Sequence, residues 1–399
     1  MKIHVRKESF FLVLLLFSLI VLNELFNDSL FFSFLISTFV FFIIVKAVNQ
    51  KSPIHMMFLV GFSTFIYFPA MINLFFLKTS LDLYFATSFV SLVFLFLTYF
   101  IAYKHIQYTN LSYLFLFFIF SALVVICSFL KFSTMYFMSP LVMFYVLSMK
   151  PKCYLYNILI SAFFILVFVI FLIVGWSGYG RTVTFGILIT AFLYFLYVND
   201  IKFNKLLFAL LPVLGSMLLV SRKELNLSIN LSESVNDSAV GPYRLASTFI
   251  DNYLVKGFDF SGFFDQILFS LLVFIPRELW LSKPYGFGFQ YVVDNMEQSF
   301  VDEGHSIAST LIGDHIYFLG WWGIFTALVM VYIVYRICFF VNNMKIFQGF
   351  GTVIISCSIM VFLWGGMTSF SARIILPILG MVPIFLLYGL FLIFKKRKF

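Results

Sequence analysis

The stretch EGHSIASTLIGDHIYFLGWWG, residues 303–323, marks the point at which the polar part of this chain gives way to a long apolar run. It ends a polar segment, residues 221–312, which we call the island. Twelve of the 17 acidic residues lie in the island or at its edge, together with six of the 26 basic residues. Because the ionisable groups are concentrated in this segment, we expect the chemistry of the protein to take place there.

The overall composition excludes a water-soluble globular protein. Hydrophobic residues make up 62% of the chain and charged residues only 11%, whereas a soluble domain needs far more polar surface. The net charge of +9 would suggest nucleic acid as a partner of a soluble protein. Here the basic residues are spread over short turns between apolar runs, which is typical of topology signals in a membrane protein, and no nucleic-acid partner is expected.

Apolar runs of about 20 residues are long enough to cross a bilayer as helices. The sequence predicts an all-α polytopic membrane protein with about 12 transmembrane helices. The predicted spans are 10–26, 30–48, 56–76, 82–103, 111–130, 133–149, 154–174, 183–198, 205–220, 313–335, 350–369 and 374–394.

The distribution of Lys and Arg orients this predicted topology. With both termini in the cytoplasm, 16 of the 26 basic residues face inward, four lie in short outer turns and six lie in the island. This bias follows the positive-inside rule and places the island outside the cytoplasm. The predicted organisation is therefore a membrane bundle of about nine spans at 1–220, a large extracytoplasmic loop at 221–312 and a bundle of about three spans at 313–399.

Two segments of the island are expected to lie against the membrane. Leu245, Phe249 and Tyr253 recur at helical spacing, which predicts an amphipathic helix on the membrane surface. The apolar segment 266–276 is too short to cross, so it is expected to dip into the membrane or to lie flat on it.

Five basic residues are candidates for binding an anion. Arg277 and Lys283 flank the turn PRELWLSKPYGFG, where a planar guanidinium fork and a lysine point charge suit phosphate oxygens. Gly286 and Gly288 would let the backbone approach a ligand closely. The alternative is an interfacial turn in which both cations meet lipid headgroups. The other three candidates, for which a snorkelling or solvated side chain is the alternative, are Arg181, Arg244 and Arg373.

Three residues near the end of the island are candidate proton acceptors. A neutral histidine or a carboxylate at His305, Asp314 or His315 could accept a proton from a hydroxyl group. The alternative for Asp314 is that it caps a helix starting near Gly313, and Gly320 and Gly323 would allow close helix packing. No P-loop, HExxH, G-x-S-x-G or metal-spaced Cys/His cluster is found, which weakens ATP-driven transport, zinc hydrolysis and lipase-type catalysis.

The run IPRELWLSKPYGFG (275–288), followed by SIASTLIGDHIYFLGWWG (306–323), resembles the bacterial oligosaccharide repeat-unit polymerases, the O-antigen polymerase family. One departure is that the family often has Glu after the glycine, where this chain has Asp314. The resemblance implies a fold similar to that of lipid-dependent membrane glycosyltransferases. It also implies transfer of a glycan from undecaprenyl pyrophosphate onto the next lipid-linked repeat unit, at the outer face of the bacterial cytoplasmic (inner) membrane.

The resemblance implies roles for the candidate residues. Arg181, Arg277 and Lys283 would hold the pyrophosphates, with Arg244 and Arg373 as second-rank candidates. His305, Asp314 or His315 would deprotonate or orient the acceptor hydroxyl. No cofactor and no metal would be required, because the cations supply the positive charge. The implied partners are the lipid-linked donor and acceptor glycans, membrane lipid, a chain-length regulator and a flippase.

Two other functions stay open at the sequence level. An O-antigen ligase, which transfers finished polymer to a lipid A core, would share the topology, the donor and the arginines. A flippase or other transporter of lipid-linked sugar would be expected to carry polar groups at mid-span and internal repeats, which this sequence lacks.

Overall fold

The computed structural model describes residues 53–73, 241–343 and 358–375, and isolated positions at 15, 18, 21, 22, 33–36, 38, 39, 162, 182, 186, 189, 190, 193 and 390. The described residues form helices joined by short turns, with no β-strand among them. The coarse prediction of an all-α protein is confirmed for this part of the chain. The spans predicted at 10–26, 30–48, 82–103, 111–130, 133–149, 154–174, 183–198, 205–220 and 374–394 lie wholly or mostly outside the described residues.

The described helices are numbered here in chain order. They are α1 (Pro53–Phe62), which continues through a π-helical stretch (Ser63–Tyr67) into α2 (Phe68–Ile72), then α3 (Gly241–Lys256), α4 (Phe260–Leu271), α5 (Phe287–Asn295), α6 (Gln298–Asp302), α7 (Thr310–Leu319), α8 (Trp322–Asn343) and α9 (Ser358–Ile375).

The π-helical stretch between α1 and α2 precedes a proline. Pro69 has no N–H to donate, and its ring would clash with the carbonyl four residues earlier, at Phe65. The wider π turn at Ser63–Tyr67 lies where that clash would occur. The described side chains from α1 to α2 are mostly buried. Gly61 lies against Leu363 of α9, and Phe58 contacts α8.

The short helix α7 is the centre around which the island folds. It packs against α3, α4 and α8, and Leu311, Ile312 and Ile316 are fully buried. A helix that is covered on most sides is largely apolar, and α7 follows this rule except for its buried polar residues Thr310, Asp314 and His315. The boundary predicted at 312/313 falls in the first turn of this helix.

The helix predicted at Leu245–Tyr253 exists as α3, but its partner was predicted wrongly. Tyr243, Ala246 and Phe249 are buried, and the Phe249 ring meets that of Tyr317 on α7 at 5.0 Å between centroids. The apolar face of α3 therefore packs against protein and not against the membrane surface. Apolar residues at helical spacing indicate that one face of a helix is covered, but the spacing does not distinguish lipid from a neighbouring helix.

The predicted single span 313–335 is wrong in its continuity, because the chain breaks there into α7 and α8. Gly320 ends α7 with a φ of 54°, in the left-handed region that favours glycine. A β-carbon on Gly323 would meet the backbone of His315, so α8 starts in direct contact with α7. The close helix packing predicted for Gly320 and Gly323 is confirmed at Gly323.

The predicted turn between the spans 350–369 and 374–394 is also wrong. Helix α9 extends from Ser358 to Ile375, with a local distortion at Gly366, where φ is 72°, so Arg373 lies inside a helix. Among the described helices, α9 alone is long and apolar enough to cross a membrane, with a mean hydropathy of 1.3.

Candidate functional site

A cavity of about 250 Å³ opens between α9, the turn before α5 and the segment that follows α6. Its wall combines hydroxyl groups, aromatic rings, glycine backbone and one guanidinium. The lining residues are Thr182, Phe269, Gly286, Gly288, Phe289, Ser306, Val361, Trp364, Thr368, Ser369, Ala372 and Arg373. Such a mixture of a few polar groups on an aromatic wall is typical of a small-molecule site.

The charge at this cavity is supplied by Arg373. It is the one charged side chain among the lining residues, and it is half-buried near the end of α9. Thr182, which follows Arg181 directly in the sequence, lines the same cavity. Arg181 itself lies outside the described residues. The cavity therefore contains one predicted cation and the sequence neighbour of another.

Gly286 and Gly288 line the cavity at the point where the turn enters α5. A β-carbon on Gly288 would overlap the carbonyl oxygen of Ile307, and the Ile307 N–H donates to the Gly288 carbonyl over 3.2 Å. A β-carbon on Gly286 would press on the ring of Phe269 at 3.1 Å. The glycines allow a close backbone approach as predicted, although the neighbours seen here are segments of the same chain.

Several polar groups of the cavity were missed by the sequence prediction. Trp364, Thr368 and Ser369 all lie on α9. The Trp364 Nε1 atom is buried and has no hydrogen-bond partner among the described residues, which leaves a costly unsatisfied donor at the wall. The signal was present in the run WGGMTS (364–369), because hydroxyl side chains grouped within an apolar span mark a polar environment.

Arg277 holds the shape of the turn that precedes α5. Its Nη1 donates to the carbonyl of Lys283 over 2.8 Å, and its Nη2 donates to the carbonyl of Pro284 over 3.0 Å. The guanidinium also lies over the ring of Tyr285, 3.9 Å from its centroid. Both arms of the fork are thus engaged by backbone, and Arg277 does not line the cavity.

Lys283 is buried beneath the same turn. Its ammonium donates to the carbonyls of Val273 and Ile275 over 2.9 and 2.6 Å. Burial, and secondly the positive charge of Arg277, lower the pKa of Lys283. Lys283 does not line the cavity, so its contacts are those of a residue that organises the turn. Arg244 lies in the first turn of α3, away from the cavity lining.

His305 is the most accessible of the three predicted proton acceptors. Its Nε2 lies 2.7 Å from Glu303 Oε2, and 36% of the imidazole side chain is exposed. Ser306, the next residue, lines the cavity. His305 is thus the sequence neighbour of a lining residue, although it is not itself among the lining residues, and the Glu303 carboxylate can orient its ring.

Asp314 is buried in α7 and faces α9. Its Oδ1 accepts a hydrogen bond from Ser309 Oγ over 2.7 Å, and its carboxylate lies against Gly366. Helix α7 begins at Thr310, and it is the Thr310 hydroxyl that accepts from the Gly313 N–H, over 3.4 Å. The alternative prediction that Asp314 caps this helix is therefore wrong.

His315 points away from Asp314, towards α8. Its Nδ1 lies 2.8 Å from Thr326 Oγ1. The Thr326 hydroxyl uses its one proton to donate to the Gly323 carbonyl over 3.0 Å, so His315 Nδ1 must be the donor to Thr326. Because neighbouring residues on a helix face different directions, the structure does not bring His305, Asp314 and His315 together.

The arrangement can bind a hydroxyl-rich ligand that carries a negative charge. Arg373 would meet the charge, the hydroxyls would meet the polar groups, and Phe289 offers an apolar surface. Within the described ranges, no group of three or more His, Cys, Asp or Glu side chains is placed to hold a metal ion. No protein-family model, curated protein or solved structure matches this chain.

Proposed function

We propose that this chain is a membrane glycosyltransferase that polymerises oligosaccharide repeat units linked to undecaprenyl pyrophosphate, on the outer face of the bacterial cytoplasmic membrane. The observation that carries the proposal is the cavity lined by Arg373, Thr182, Gly286, Gly288 and Ser306. Arg373, Gly286 and Gly288 were singled out in the sequence, and Thr182 and Ser306 directly follow two other candidates, Arg181 and His305. A cation, several hydroxyls and aromatic surface suit a sugar pyrophosphate.

The proposed topology has about 12 membrane spans, with both termini in the cytoplasm and the island outside. The length and hydropathy of α9 support it. Exposed apolar side chains on α8 support it further, because Trp322, Phe325 and Val329 form one exposed stripe along the helix. Such a stripe is stable against lipid and unfavourable against water.

In the proposed reaction, a hydroxyl oxygen of the acceptor repeat unit attacks the anomeric carbon of the donor glycan. The bond from this carbon to the pyrophosphate oxygen breaks, and undecaprenyl pyrophosphate leaves with the bonding electrons. Negative charge therefore grows on the leaving group. Arg373, with Arg181, stabilises this charge, and a fixed guanidinium at a partly dehydrated site does so more strongly than water.

The acceptor proton passes to His305 in this mechanism. Glu303 binds Nε2 of the imidazole, which leaves Nδ1 to take the proton. Asp314 and His315 are enclosed between helices and have hydrogen-bond partners there. Arg277 and Lys283 contribute indirectly, by holding the turn that carries Gly286 and Gly288 into the cavity wall.

The test is a gel of surface glycan from cells with the gene, without it, and complemented with Arg373→Ala. If the protein is a polymerase, deletion leaves one band of lipid core plus a single repeat unit, and the variant does not restore the ladder. Loss of every glycan band with accumulation of lipid-linked polymer would instead identify a ligase. An unchanged ladder would reject both activities.

A further inference from the structure

Helix α4 buries polar side chains and exposes large apolar ones. Its buried residues are polar, since Gln266 and Ser270 face inward and Ser270 is only 1% exposed. Its exposed residues are apolar, and Phe260, which is 69% exposed, lies on one stripe with Phe264 and Leu271. A soluble amphipathic helix has the opposite arrangement.

The apolar surface continues beyond the end of α4. Leu279 is 80% exposed and Leu281 is 90% exposed, at the tip of the turns that follow the helix. We call residues 260–283 the wedge. Large apolar side chains exposed in one continuous segment mark a contact with lipid or with another protein.

The wedge bonds part of its own backbone, although its second half is not helical. Each of its turns is closed by an N–H that donates to a carbonyl three or four residues earlier. These bonds run from Leu272 to Leu268, Ile275 to Leu272, Leu279 to Pro276, Trp280 to Arg277 and Lys283 to Trp280, over 3.0 to 3.2 Å. Each such bond removes the cost of bringing that polar group towards hydrocarbon.

The two basic side chains of the wedge bond further carbonyls. The Lys283 ammonium donates hydrogen bonds to the carbonyls of Val273 and Ile275. Arg277 covers the carbonyls of Lys283 and Pro284. Four carbonyl oxygens that would otherwise need water are thereby bonded to charged donors, beside the two most exposed leucines.

We infer that the wedge is inserted into the extracytoplasmic leaflet of the membrane, with Leu279 and Leu281 among the lipid acyl chains. This inference rests on the proposed membrane topology. The exposed carboxylates of Asp265 and Glu278 keep the insertion shallow, at the boundary between headgroups and acyl chains. The inserted wedge thereby sets the depth, relative to the membrane surface, of the turn that leads to Gly286. The cavity then lies next to the headgroups, where a lipid pyrophosphate is presented.

The experiment uses the purified full chain in phosphatidylcholine vesicles that contain brominated acyl chains. In a background without Cys127, Cys153, Cys338 and Cys357, single cysteines are introduced and labelled with an environment-sensitive fluorophore. Leu281→Cys reports on the wedge, with Leu279→Cys as a second position should the first variant not fold. Phe325→Cys on the exposed stripe of α8 is the membrane control, and Asp302→Cys is the aqueous control.

We expect bromolipid to quench the labels at 281 and 325 to a similar degree, and to leave the label at 302 unquenched. If 281 behaves like 302 while 325 is quenched, the wedge is not in lipid and the proposed topology still stands. If neither 281 nor 325 is quenched, the result contradicts both the proposed membrane topology and the insertion of the wedge into lipid. Disulfide cross-links between copies at 281, in place of quenching, would show a second copy on this surface and overturn the inference.

Discussion

The carboxylate of Asp314 on α7 lies directly against the α-carbon of Gly366 on α9, so that a β-carbon at position 366 would overlap Asp314 Oδ2. Gly366 has a φ of 72°, a conformation that glycine adopts readily and other residues avoid. This contact joins the helix at the centre of the island to the helix that carries Arg373. Substitutions at Gly366 and Asp314 therefore test how α7 and α9 are packed.

Gly366→Ala is expected to destabilise the protein strongly. The left-handed backbone alone costs an L-residue about 1–2 kcal/mol, and the added methyl group also displaces a buried carboxylate. The measurement is the thermal unfolding temperature of the purified protein in detergent.

The adjacent glycine provides the control for this substitution. At Gly365 a β-carbon would meet the Ser369 side chain at 2.9 Å, and that hydroxyl can rotate away. Gly365→Ala should therefore lower the unfolding temperature much less. Equal effects of the two substitutions would contradict the Asp314–Gly366 contact, whereas partial recovery of Gly366→Ala by Asp314→Ala would support it.

Ser309→Ala should destabilise the protein by about 1–3 kcal/mol, because it leaves a buried carboxylate without its hydroxyl donor. Ser371→Ala is the matched control, since Ser371 is also buried but donates only to the carbonyl of Met367 in its own helix. Denaturant unfolding of both variants gives the comparison. Similar unfolding free energies for the two would mean that the Ser309–Asp314 bond contributes little.

Arg373→Ala should reduce polymer formation about 100-fold, the usual cost of removing one donor that stabilises transition-state charge. The measurement is the amount of polymer formed per amount of folded protein in the membrane. Arg336→Ala removes the same charge from an exposed position on α8 and should retain full activity. Full activity of Arg373→Ala would remove this residue from the site.

Arg277→Ala should also abolish polymer, but by a different route. Loss of the two carbonyl contacts frees the turn, so limited proteolysis should cleave within residues 272–286 faster than in the native chain. Arg277→Lys should recover little, because an ammonium cannot reproduce the planar fork that reaches both carbonyls. If Arg277→Ala were inactive and yet as protease-resistant as the native protein, a direct role on the pyrophosphate would be favoured instead.

His305→Ala should lower the polymerisation rate between about 100-fold and 10,000-fold, the range for loss of a general base. Glu303→Gln should have a smaller effect, because it weakens only the orientation of the ring. Asp302→Asn, which alters a neighbouring carboxylate bonded to Gln298, serves as the control. Retained activity in His305→Ala together with loss in Asp314→Asn would move the base to Asp314.

Much of the island could be predicted from the sequence where local chemistry decides the structure. The helical spacing of Leu245 and Phe249 predicted α3, and Gly323 was correctly assigned to close packing. The same patterns did not identify the partner of α3, because an apolar stripe fits either lipid or α7. The capping alternative for Asp314 was also wrong, since α7 begins at Thr310 and Asp314 is bonded to Ser309.

The sequence by itself determined that this chain is helical, that its polar chemistry is concentrated in residues 221–312, and which cations and proton acceptors were available. Composition and periodicity are local properties, so they can be read from the sequence without the tertiary structure. The tertiary structure alone decided that Arg373 lines a cavity with Gly286 and Ser306, and that Arg277 and Lys283 bond backbone carbonyls. The cavity depends on atoms far apart in sequence, and the packing of α9 against the island sets the distances between them. The bonds of Arg277 and Lys283 join residues six to ten apart, and the folded shape of the turn decides which carbonyls these side chains reach.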